Sequence, residues 1–160
     1  MGNKIKEIIE YYDTVVKVVD KNALNTQDRT YGGVIRSVKG KLQEHITEKV
    51  IELAWQSVGG KHERLEINSK KFSIPIMNDY INELPDQEIR EQILNNVDDY
   101  CYKLSVDKQV FIDEEFVLGI ECKSYTENAM LKRVLVDFKL LKTRFSRLKC
   151  YLFQLESQLG

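Results

Sequence analysis

The final third of the chain, residues 100–156, carries the pattern that most constrains what this sequence can fold into. Apolar and polar residues alternate over residues 102–106, which is the period of a half-buried strand, and the apolar residues 110–112 continue it as strand. A polar turn follows at residues 113–115, and residues 116–123 form a second, strongly apolar run. Two strands separated by so short a turn predict an antiparallel hairpin.

A helix and a third strand complete this part of the chain. Residues 124–127, Ser-Tyr-Thr-Glu, match the S-x-x-E pattern of a helix capping box. Residues 150–155 form an apolar run that predicts a buried strand. Because strands joined through a helix pair in parallel, residues 116–155 predict a βαβ unit with a right-handed crossover. The predicted buried stripe of the helix consists of Leu131, Val134, Leu135, Phe138, Leu141 and Phe145.

Two helices are predicted before residue 60. Apolar residues recur every three or four positions between Ile5 and Val19, which indicates an amphipathic helix. Residues 22–33 are rich in Asn, Asp, Thr and Gly and predict a polar connection. A second helix is expected from about residue 34 to residue 56, ended by the Gly-Gly pair at residues 59–60.

The middle of the chain predicts short elements. Residues 64–67 and 71–76 alternate polar with apolar side chains, which indicates short strands around a turn at residues 68–69. Pro75 has no backbone donor, so its strand is expected at a sheet edge. Pro85 is expected at the first position of a short helix, where the missing donor costs no hydrogen bond.

Length and charge set the general class. The 160 residues are 42% hydrophobic and 31% charged, which is ordinary for one globular domain. Because 24 Lys and Arg nearly balance 25 Asp and Glu, we do not expect a protein that coats nucleic acid non-specifically. A local basic surface stays compatible with this balance. We expect a single domain over residues 1–160.

Cysteine usage and the absence of targeting signals indicate the compartment. Cys101, Cys122 and Cys150 lie far apart without a CxxC pair, which predicts reduced, mostly buried thiols. With His45 and His62 as the only histidines, a zinc site is not expected. No apolar run reaches the roughly 18–20 residues of a membrane span, and the N-terminus lacks the apolar core of a signal peptide. We expect a cytoplasmic protein with no membrane association.

Two charged residues, Glu121 and Lys123, interrupt the most apolar predicted strand, residues 117–123. Because strand side chains alternate between faces, both project from the face opposite the apolar one. Gly119 lies on that face too, where it is expected to leave room for a ligand to approach closely. Taken alone, such a pair is more often a solvated ion pair of little energetic value.

Asp107 is predicted to lie opposite Glu121, because a turn centred on residues 113–115 pairs residues whose numbers sum to about 228. Two carboxylates and the Lys123 ammonium would then share one surface. Carboxylates a few ångströms apart repel each other, so the arrangement favours a divalent cation. Oxygen ligands without His or Cys side chains indicate Mg²⁺, with Mn²⁺ as an alternative. The backbone carbonyl of Cys122 is a further candidate ligand.

Residues 107–112, the turn after them and residues 119–125 resemble the metal site of the PD-(D/E)XK nuclease superfamily. This superfamily includes most type II restriction endonucleases, Holliday-junction resolvases and several repair nucleases. The resemblance implies an α/β (α+β) fold with a restriction-endonuclease-like core, in which a central mixed sheet of four to five strands is flanked by helices. The catalytic core would span about residues 100–156, and the helical part residues 1–60.

The resemblance also implies roles for individual residues. The metal-binding aspartate of the superfamily falls on Asp107, its second carboxylate on Glu121, and its lysine, which orients the attacking water, on Lys123. Val106 stands where the superfamily often has proline, a loosely kept position. Asp113 is an alternative first carboxylate, but it lies in the predicted turn, where it should be solvated.

Three further residues are candidates for accessory roles by the same resemblance. In many members a glutamate from the first core helix reaches the metal, and Glu44 and Glu48 are candidates one helical turn apart. Most glutamates on helices are solvated surface residues without a functional role, and this is the alternative for both Glu44 and Glu48. Gln154 lies where such enzymes often have a polar residue near the site, and its alternative is an ordinary backbone hydrogen bond.

The function implied is a Mg²⁺-dependent endonuclease that hydrolyses phosphodiester bonds of double-stranded DNA, first of all a type II restriction endonuclease acting as a homodimer. A Holliday-junction resolvase, a DNA-repair nuclease and a non-catalytic interaction domain that keeps the fold are the alternatives. The predicted core ends near residue 155. Either the N-terminal helices and residues 60–99 recognise the target, or the chain is the N-terminal part of a longer enzyme.

A basic segment follows the predicted metal site. Seven basic residues, opposed by Asp137 alone, give residues 132–149 a charge of +6. Because phosphate binding is largely electrostatic, the segment predicts contacts to the DNA backbone, and a solvated helix face is the alternative. Residues 30–33 and 59–62 are either flexible loops that meet DNA or plain connections. The basic residues are Lys132, Arg133, Lys139, Lys142, Arg144, Arg147 and Lys149, of which the first three are the expected backbone contacts.

Overall fold

A computed structural model of the chain describes residues 2–24, 29–76 and 78–157. Over these residues the chain forms five helices and six strands, with short 3-10 turns before β1 and β3. None of the described helices is both long and apolar enough to cross a lipid bilayer. The elements are α1 (Gly2–Leu24), α2 (Arg29–Ser57), β1 (Leu65–Asn68), β2 (Phe72–Pro75), α3 (Asn78–Glu83), α4 (Gln87–Asn95), β3 (Cys101–Leu104), β4 (Lys108–Ile112), β5 (Glu115–Thr126), α5 (Asn128–Arg144) and β6 (Lys149–Ser157).

Within the described residues, four strands form the central sheet in the order β1-β4-β5-β6. The β1–β4 and β4–β5 pairs are antiparallel, and the β5–β6 pair, joined through α5, is parallel. Strands β2 and β3 form a separate antiparallel pair. A mixed four-stranded sheet flanked by helices confirms the predicted α+β, restriction-endonuclease-like fold class. The parallel βαβ pairing over residues 116–155 is confirmed as well.

Apolar clusters cover both faces of the central sheet. On one face, Ile51 of α2 packs with Val110, Ile120 and Cys122. On the other face, α5 and the small β2–β3 sheet enclose a second cluster. Both faces are therefore covered by helices, which explains why β5 is so rich in apolar residues. The second cluster consists of Ile74, Leu104, Val106, Phe116, Leu141 and Leu148.

The predicted polar connection at residues 22–33 is wrong over most of its length. Helix α1 continues to Leu24, and α2 begins at Arg29, so residues 30–33 are helical and are not a loop. A glycine costs about 1 kcal/mol inside a helix. Once a helix has nucleated, each added residue gains a backbone hydrogen bond, which lets a long helix carry such a cost. Residues 25–28 lie outside the described part of the chain.

The predicted helix end at residues 59–60 is confirmed. Helix α2 stops at Ser57, and Gly59 has φ 77°, the left-handed conformation that glycine adopts without a steric penalty. The Gly60 N–H donates to the Trp55 carbonyl at 2.9 Å, which closes the last turn. Residues 59–62 therefore turn the chain from α2 into β1.

The predicted continuous strand over residues 102–112 is wrong, because the chain changes sheets there. It leaves the small sheet after Leu104 and enters the central sheet at Lys108. Val106, which lies on this crossing between the two strands, is buried in the core. The two predicted strands at 64–67 and 71–76 exist, but they pair with β4 and β3 and not with each other. Asp107 thus lies at the junction between the two sheets.

Two local predictions at helix starts are wrong. Strand β5 continues to Thr126, since its pairing with β6 extends to Ser157, and this ladder overrides the capping pattern at residues 124–127. Pro85 precedes α4 rather than starting it. Asp86 is the N-cap of α4, and its carboxylate accepts the Glu88 N–H at 2.9 Å.

The predicted buried stripes of α5 and β6 are only partly correct. Val134 and Leu141 are buried, but Leu135 is 56% exposed because α5 packs on the sheet along one side only. Strand β6 forms the edge of the central sheet, and its Tyr151 is exposed. Pro75 does lie on an edge strand, as predicted, since β2 belongs to a two-stranded sheet.

Candidate active site

Asp107, Glu121 and Lys123 line one cavity of about 320 Å³. The long strand β5 carries Glu121 and Lys123 on the face toward α5, and the crossing between β3 and β4 carries Asp107. The pairing register of β4 and β5 explains why these residues lie close together. Beyond a shift after Val110, paired residue numbers sum to 228, as in Lys108 with Ile120, which brings Asp107 to the level of Glu121.

Lys123 lies between the two carboxylates. Its Nζ is 2.6 Å from Glu121 Oε1 and 3.9 Å from Asp107 Oδ2. The exposed fractions of the side chains are 17% for Glu121, 28% for Lys123 and 30% for Asp107. The group is therefore mostly shielded from solvent, unlike the solvated ion pair that was the alternative for this motif.

Burial and neighbouring charges shift the pKa values of this group. Burial raises the pKa of Glu121, the hydrogen bond from Lys123 lowers it, and repulsion by Asp107 adds to the net rise. For Lys123, burial lowers the pKa, but the hydrogen bond and charge of Glu121 outweigh it, so its pKa is raised. Lys123 is thus an ammonium at neutral pH, and the charge of Asp107 disfavours the charged form of Glu121.

This donor set fits a hard divalent cation. Two carboxylates that repel each other gain from a cation placed between them, and oxygen ligands match Mg²⁺ and Mn²⁺. Among the described residues, no three His, Cys, Asp or Glu side chains cluster closely enough to hold a metal. The side chains therefore supply a carboxylate pair, and any further ligands would be backbone carbonyls, water or substrate.

Glu44 and Glu48 lie on α2, which packs on the opposite face of the sheet from this cavity. The Glu48 carboxylate accepts a hydrogen bond from Lys108 at 3.0 Å. Burial raises the pKa of Cys122, and the charge of Glu44 adds to the rise. Neither glutamate is among the described residues that line the cavity. The structure therefore does not bring them together with Asp107 and Glu121.

Gln154 lies beside Lys123, its partner in the parallel β5–β6 register. The Gln154 Oε1 atom is buried and has no hydrogen-bond partner among the described residues. The ordinary backbone hydrogen bond that was its alternative is thus not made by this oxygen. Gln154 is not among the described residues that line the cavity, so the structure does not show it reaching Asp107 and Glu121.

Two other predictions concern residues near the hairpin. The space beside Gly119 is filled, because a Cβ there would lie 3.3 Å from Val106 Cγ2 and 3.5 Å from Phe116 Cζ. The predicted room for a ligand at Gly119 is therefore wrong. Asp113 lies in the exposed β4–β5 turn, where its Oδ1 accepts a hydrogen bond from Arg64 Nε at 2.8 Å, outside the cavity.

The basic segment is exposed but not uniform. Arg133 is 82% exposed and lines the cavity, with its Nε 3.9 Å from Asp137 Oδ2. Lys132 and Lys139 are exposed on the same helix. Arg144 instead donates to the Ser73 carbonyl and lies over the Phe145 ring, so it ties α5 to the small sheet. The charge pattern of the sequence does not distinguish Arg133, which lines the cavity, from Arg144, which holds α5 to the small sheet.

Sequence reasoning missed two residues of this region. Asp137, considered there only as the acid among basic residues, lines the cavity. Gln43 of α2 is fully buried, and its amide donates to the carbonyls of Lys123 and Phe153. One sequence signal could have indicated Gln43. It lies one helical turn from Thr47, so the two polar side chains share the inner face of α2.

A mixed sheet with a carboxylate pair and a lysine at the β4–β5 hairpin is the arrangement of restriction-endonuclease-like nucleases. No family model and no solved structure matches the chain. The chain is 52% identical over 161 residues to the type II restriction enzyme DdeI of Desulfomicrobium norvegicum, an alignment that covers 98% of this chain and 67% of that enzyme. The chain belongs to the type II restriction enzyme family, which confirms the predicted endodeoxyribonuclease. Enzymes of this family generally require a divalent metal and act on DNA.

Proposed function

We propose that this protein cleaves double-stranded DNA with Mg²⁺ held at Asp107 and Glu121. The observation that carries the proposal is the convergence of these two carboxylates on Lys123 in one partly buried cavity. Family membership supplies the reaction class, which is hydrolysis of phosphodiester bonds. It also favours a restriction enzyme over a junction resolvase, a repair nuclease or a non-catalytic domain.

Asp107 and Glu121 would hold the ion, with the Cys122 carbonyl as a third ligand and Mn²⁺ as an alternative to Mg²⁺. When bound, the ion supplies Lewis-acid polarisation of the scissile phosphate and makes water more acidic. Burial is the main cause of the raised pKa of Glu121, and an ion held by Asp107 and Glu121 would offset the charge repulsion that adds to it.

Lys123 orients the attacking water and stabilises negative charge on the phosphate. Its raised pKa keeps it an ammonium with three N–H donors, one of which goes to Glu121. The remaining donors can reach a water molecule and a phosphate oxygen in the cavity. A fixed cation in a site shielded from solvent stabilises developing charge more strongly than the same cation in water.

Arg133 is the backbone contact that the geometry favours most, because it lines the cavity and is loosely held. Lys132 and Lys139 would extend the contact along α5. A homodimer would place one such site on each strand of the duplex, since two-fold symmetry of the protein matches that of the DNA backbone. The cytoplasm, where the DNA is, is the proposed location.

Plasmid and phage DNA incubated with the protein and Mg²⁺ test this function. Discrete bands on a gel are expected for a restriction enzyme, a smear for a non-specific nuclease. Preferential cutting of a branched junction would indicate a resolvase. Absence of any cleavage, together with absence of thermal stabilisation by Mg²⁺, would support the non-catalytic alternative.

The matched variants are Glu121→Gln and Glu115→Gln, on the same strand. Glu121→Gln removes a proposed metal ligand at nearly constant volume, so cleavage is expected to fall at least about 1000-fold. Glu115 is exposed at the start of β5, and its variant should cleave like the wild type. Wild-type cleavage by Glu121→Gln would refute the assignment of the site.

A further inference from the structure

A single buried amide joins α2 to both parallel strands at the active site. Gln43 is 0% exposed, and its Nε2 donates to the Lys123 carbonyl at 2.9 Å and to the Phe153 carbonyl at 2.7 Å. These carbonyls belong to neighbouring strands, β5 and β6. The helix is thus fixed to the strand that carries Lys123, from the face opposite the cavity.

Thr47, one helical turn further on, makes a second tie to the same segment. It is 4% exposed, and its hydroxyl donates to the Gln43 carbonyl at 2.8 Å. The Cys122 Sγ lies 3.3 Å from the same hydroxyl oxygen, so the thiol is the donor to Thr47. Gln43 and Thr47 therefore hold two consecutive residues of β5, Lys123 and Cys122.

The opposite end of this segment is held by Asp107. The Cys122 N–H donates to Asp107 Oδ2 at 2.7 Å, while the Lys123 carbonyl accepts from Gln43. Between these two anchored groups lies one peptide unit, and its carbonyl is that of Cys122, the candidate third ligand. Asp107 and Gln43 thus fix this peptide from both sides.

Packing alone does not account for a glutamine at position 43. A buried amide is costly unless its polar atoms are paired, and Gln43 Oε1 has no partner among the described residues. A methionine of similar volume would fill the same space without an unpaired acceptor. What glutamine adds there is the pair of bonds to the Lys123 and Phe153 carbonyls.

We propose that Gln43 is a positioning residue for the metal site, assisted by Thr47. By fixing the Cys122–Lys123 peptide, it sets the directions of the Cys122 carbonyl and of the Lys123 side chain relative to Glu121. This inference rests on the proposed function, because it assigns Gln43 an effect on a metal held by Asp107 and Glu121.

The test compares Gln43→Met and Thr47→Val with the control Gln109→Met. Gln109 is also a fully buried glutamine whose amide bonds to backbone, but its partner is Lys70, on the connection after β1. Binding of Mn²⁺ is measured from the electron paramagnetic resonance signal of the free ion, without DNA. The Mg²⁺ concentration for half-maximal cleavage of plasmid DNA and the affinity for DNA in EDTA are measured alongside.

Gln43→Met is expected to weaken Mn²⁺ binding and to raise the Mg²⁺ requirement about tenfold, as for residues that orient metal ligands. Affinity for DNA in EDTA should stay within about twofold, since no DNA-facing group changes. Thr47→Val should act in the same direction with a smaller effect. Gln109→Met should lower the unfolding midpoint while leaving Mn²⁺ binding unchanged.

Unchanged Mn²⁺ binding in both Gln43→Met and Thr47→Val would overturn the inference, and so would an equal loss in Gln109→Met. If Gln43→Met does not fold, the result for Thr47→Val decides. The proposed function is tested separately from the role of Gln43. If Glu121→Gln loses Mn²⁺ binding and cleavage while Gln43→Met keeps both, the proposed site stands and only the role of Gln43 falls.

Discussion

The carboxylate of Asp107 accepts a hydrogen bond from the backbone N–H of Cys122 at 2.7 Å. This bond links β5 to the chain just before β4, beyond the last register pair of Lys108 with Ile120, and its acceptor is a side-chain oxygen. Asp107 therefore has a structural role in the hairpin beside its proposed role as a metal ligand. Substitutions of Asp107 can separate its structural role from its role as a metal ligand.

Asp107→Asn should fold normally and fail to cleave DNA. Asparagine keeps an oxygen that can accept the Cys122 N–H, so the free energy of unfolding should stay within about 1 kcal/mol of the wild type. Asp107→Ala should lose a further 1–2 kcal/mol, approximately, because the N–H is left unpaired. Both variants should be inactive, since each lacks the carboxylate charge. Urea unfolding and plasmid cleavage measure the two effects.

Equal unfolding free energies for Asp107→Asn and Asp107→Ala would contradict the structural role of the hydrogen bond. Cleavage by Asp107→Asn at the wild-type rate would contradict the catalytic role. Asp113→Asn serves as the control, because that carboxylate pairs with Arg64 in the turn and lies outside the cavity. Its cleavage rate should be that of the wild type.

Two arginines of α5 should differ in what they contribute. Arg133→Ala should weaken DNA binding and lower the slope of log affinity against log salt by about one unit, the value for one phosphate contact. Arg144→Ala should leave that slope unchanged and lower the free energy of unfolding by about 1 kcal/mol, because its bond to the Ser73 carbonyl is lost. Fluorescence anisotropy in EDTA at several salt concentrations, with urea unfolding, distinguishes them. An unchanged slope for Arg133→Ala would contradict its proposed contact with DNA.

The meeting of Asp107 and Glu121 could be predicted from the sequence because a hairpin transmits its register along both strands. The predicted sum of 228 for paired residue numbers holds at the site only because a shift in register compensates for a different sum at the turn. Next to the turn, Ile112 pairs with Glu115, one unit short of the predicted sum, and the shift after Val110 restores it at the site. A pattern of alternating residues cannot locate such a bulge, although it can identify the faces of the strands.

Other features of the site depend on residues far apart in sequence. The amide of Gln43 bonds to carbonyls 80 and 110 residues away, so the polar pair Gln43 and Thr47 on α2 can indicate a buried polar contact but not its partners. The space at Gly119 is filled by Val106, whose position follows from the change of sheet after Leu104. Local periodicity predicts elements, whereas the contents of a cavity are decided by packing between them.

Cys122 should react slowly with alkylating reagents in the folded protein. Burial raises the pKa of its thiol to about 11, and the nearby carboxylates contribute to the rise. Since the thiolate is the reactive form, only about 0.1% of the thiol would be reactive at pH 8. Mass spectrometry after iodoacetamide treatment, with and without urea, measures the protection. Alkylation of Cys122 at equal rates in both conditions would contradict its burial against α2.

Glu114→Gly should stabilise the protein. Asp113 and Glu114 have φ values of 50° and 66°, as in a two-residue type I′ turn. A left-handed conformation costs a non-glycine residue about 1–2 kcal/mol, and an Asp-Gly pair is favoured in this turn. After subtraction of the chain entropy of glycine, we expect a gain of about 0.5–1 kcal/mol in the free energy of unfolding. Glu115→Gly, at the first residue of β5, should instead lose about that amount.

Chemical unfolding in urea compares the two glycine variants, and plasmid cleavage provides a second measurement. The turn lies at the end of the hairpin away from Asp107, so Glu114→Gly should cleave DNA at the wild-type rate. Destabilisation by Glu114→Gly as large as that by Glu115→Gly would mean that the turn is not strained in this way. A gain in stability with loss of cleavage would mean instead that the turn controls the register at Glu121, which a change in the β4–β5 pairing would transmit to the site.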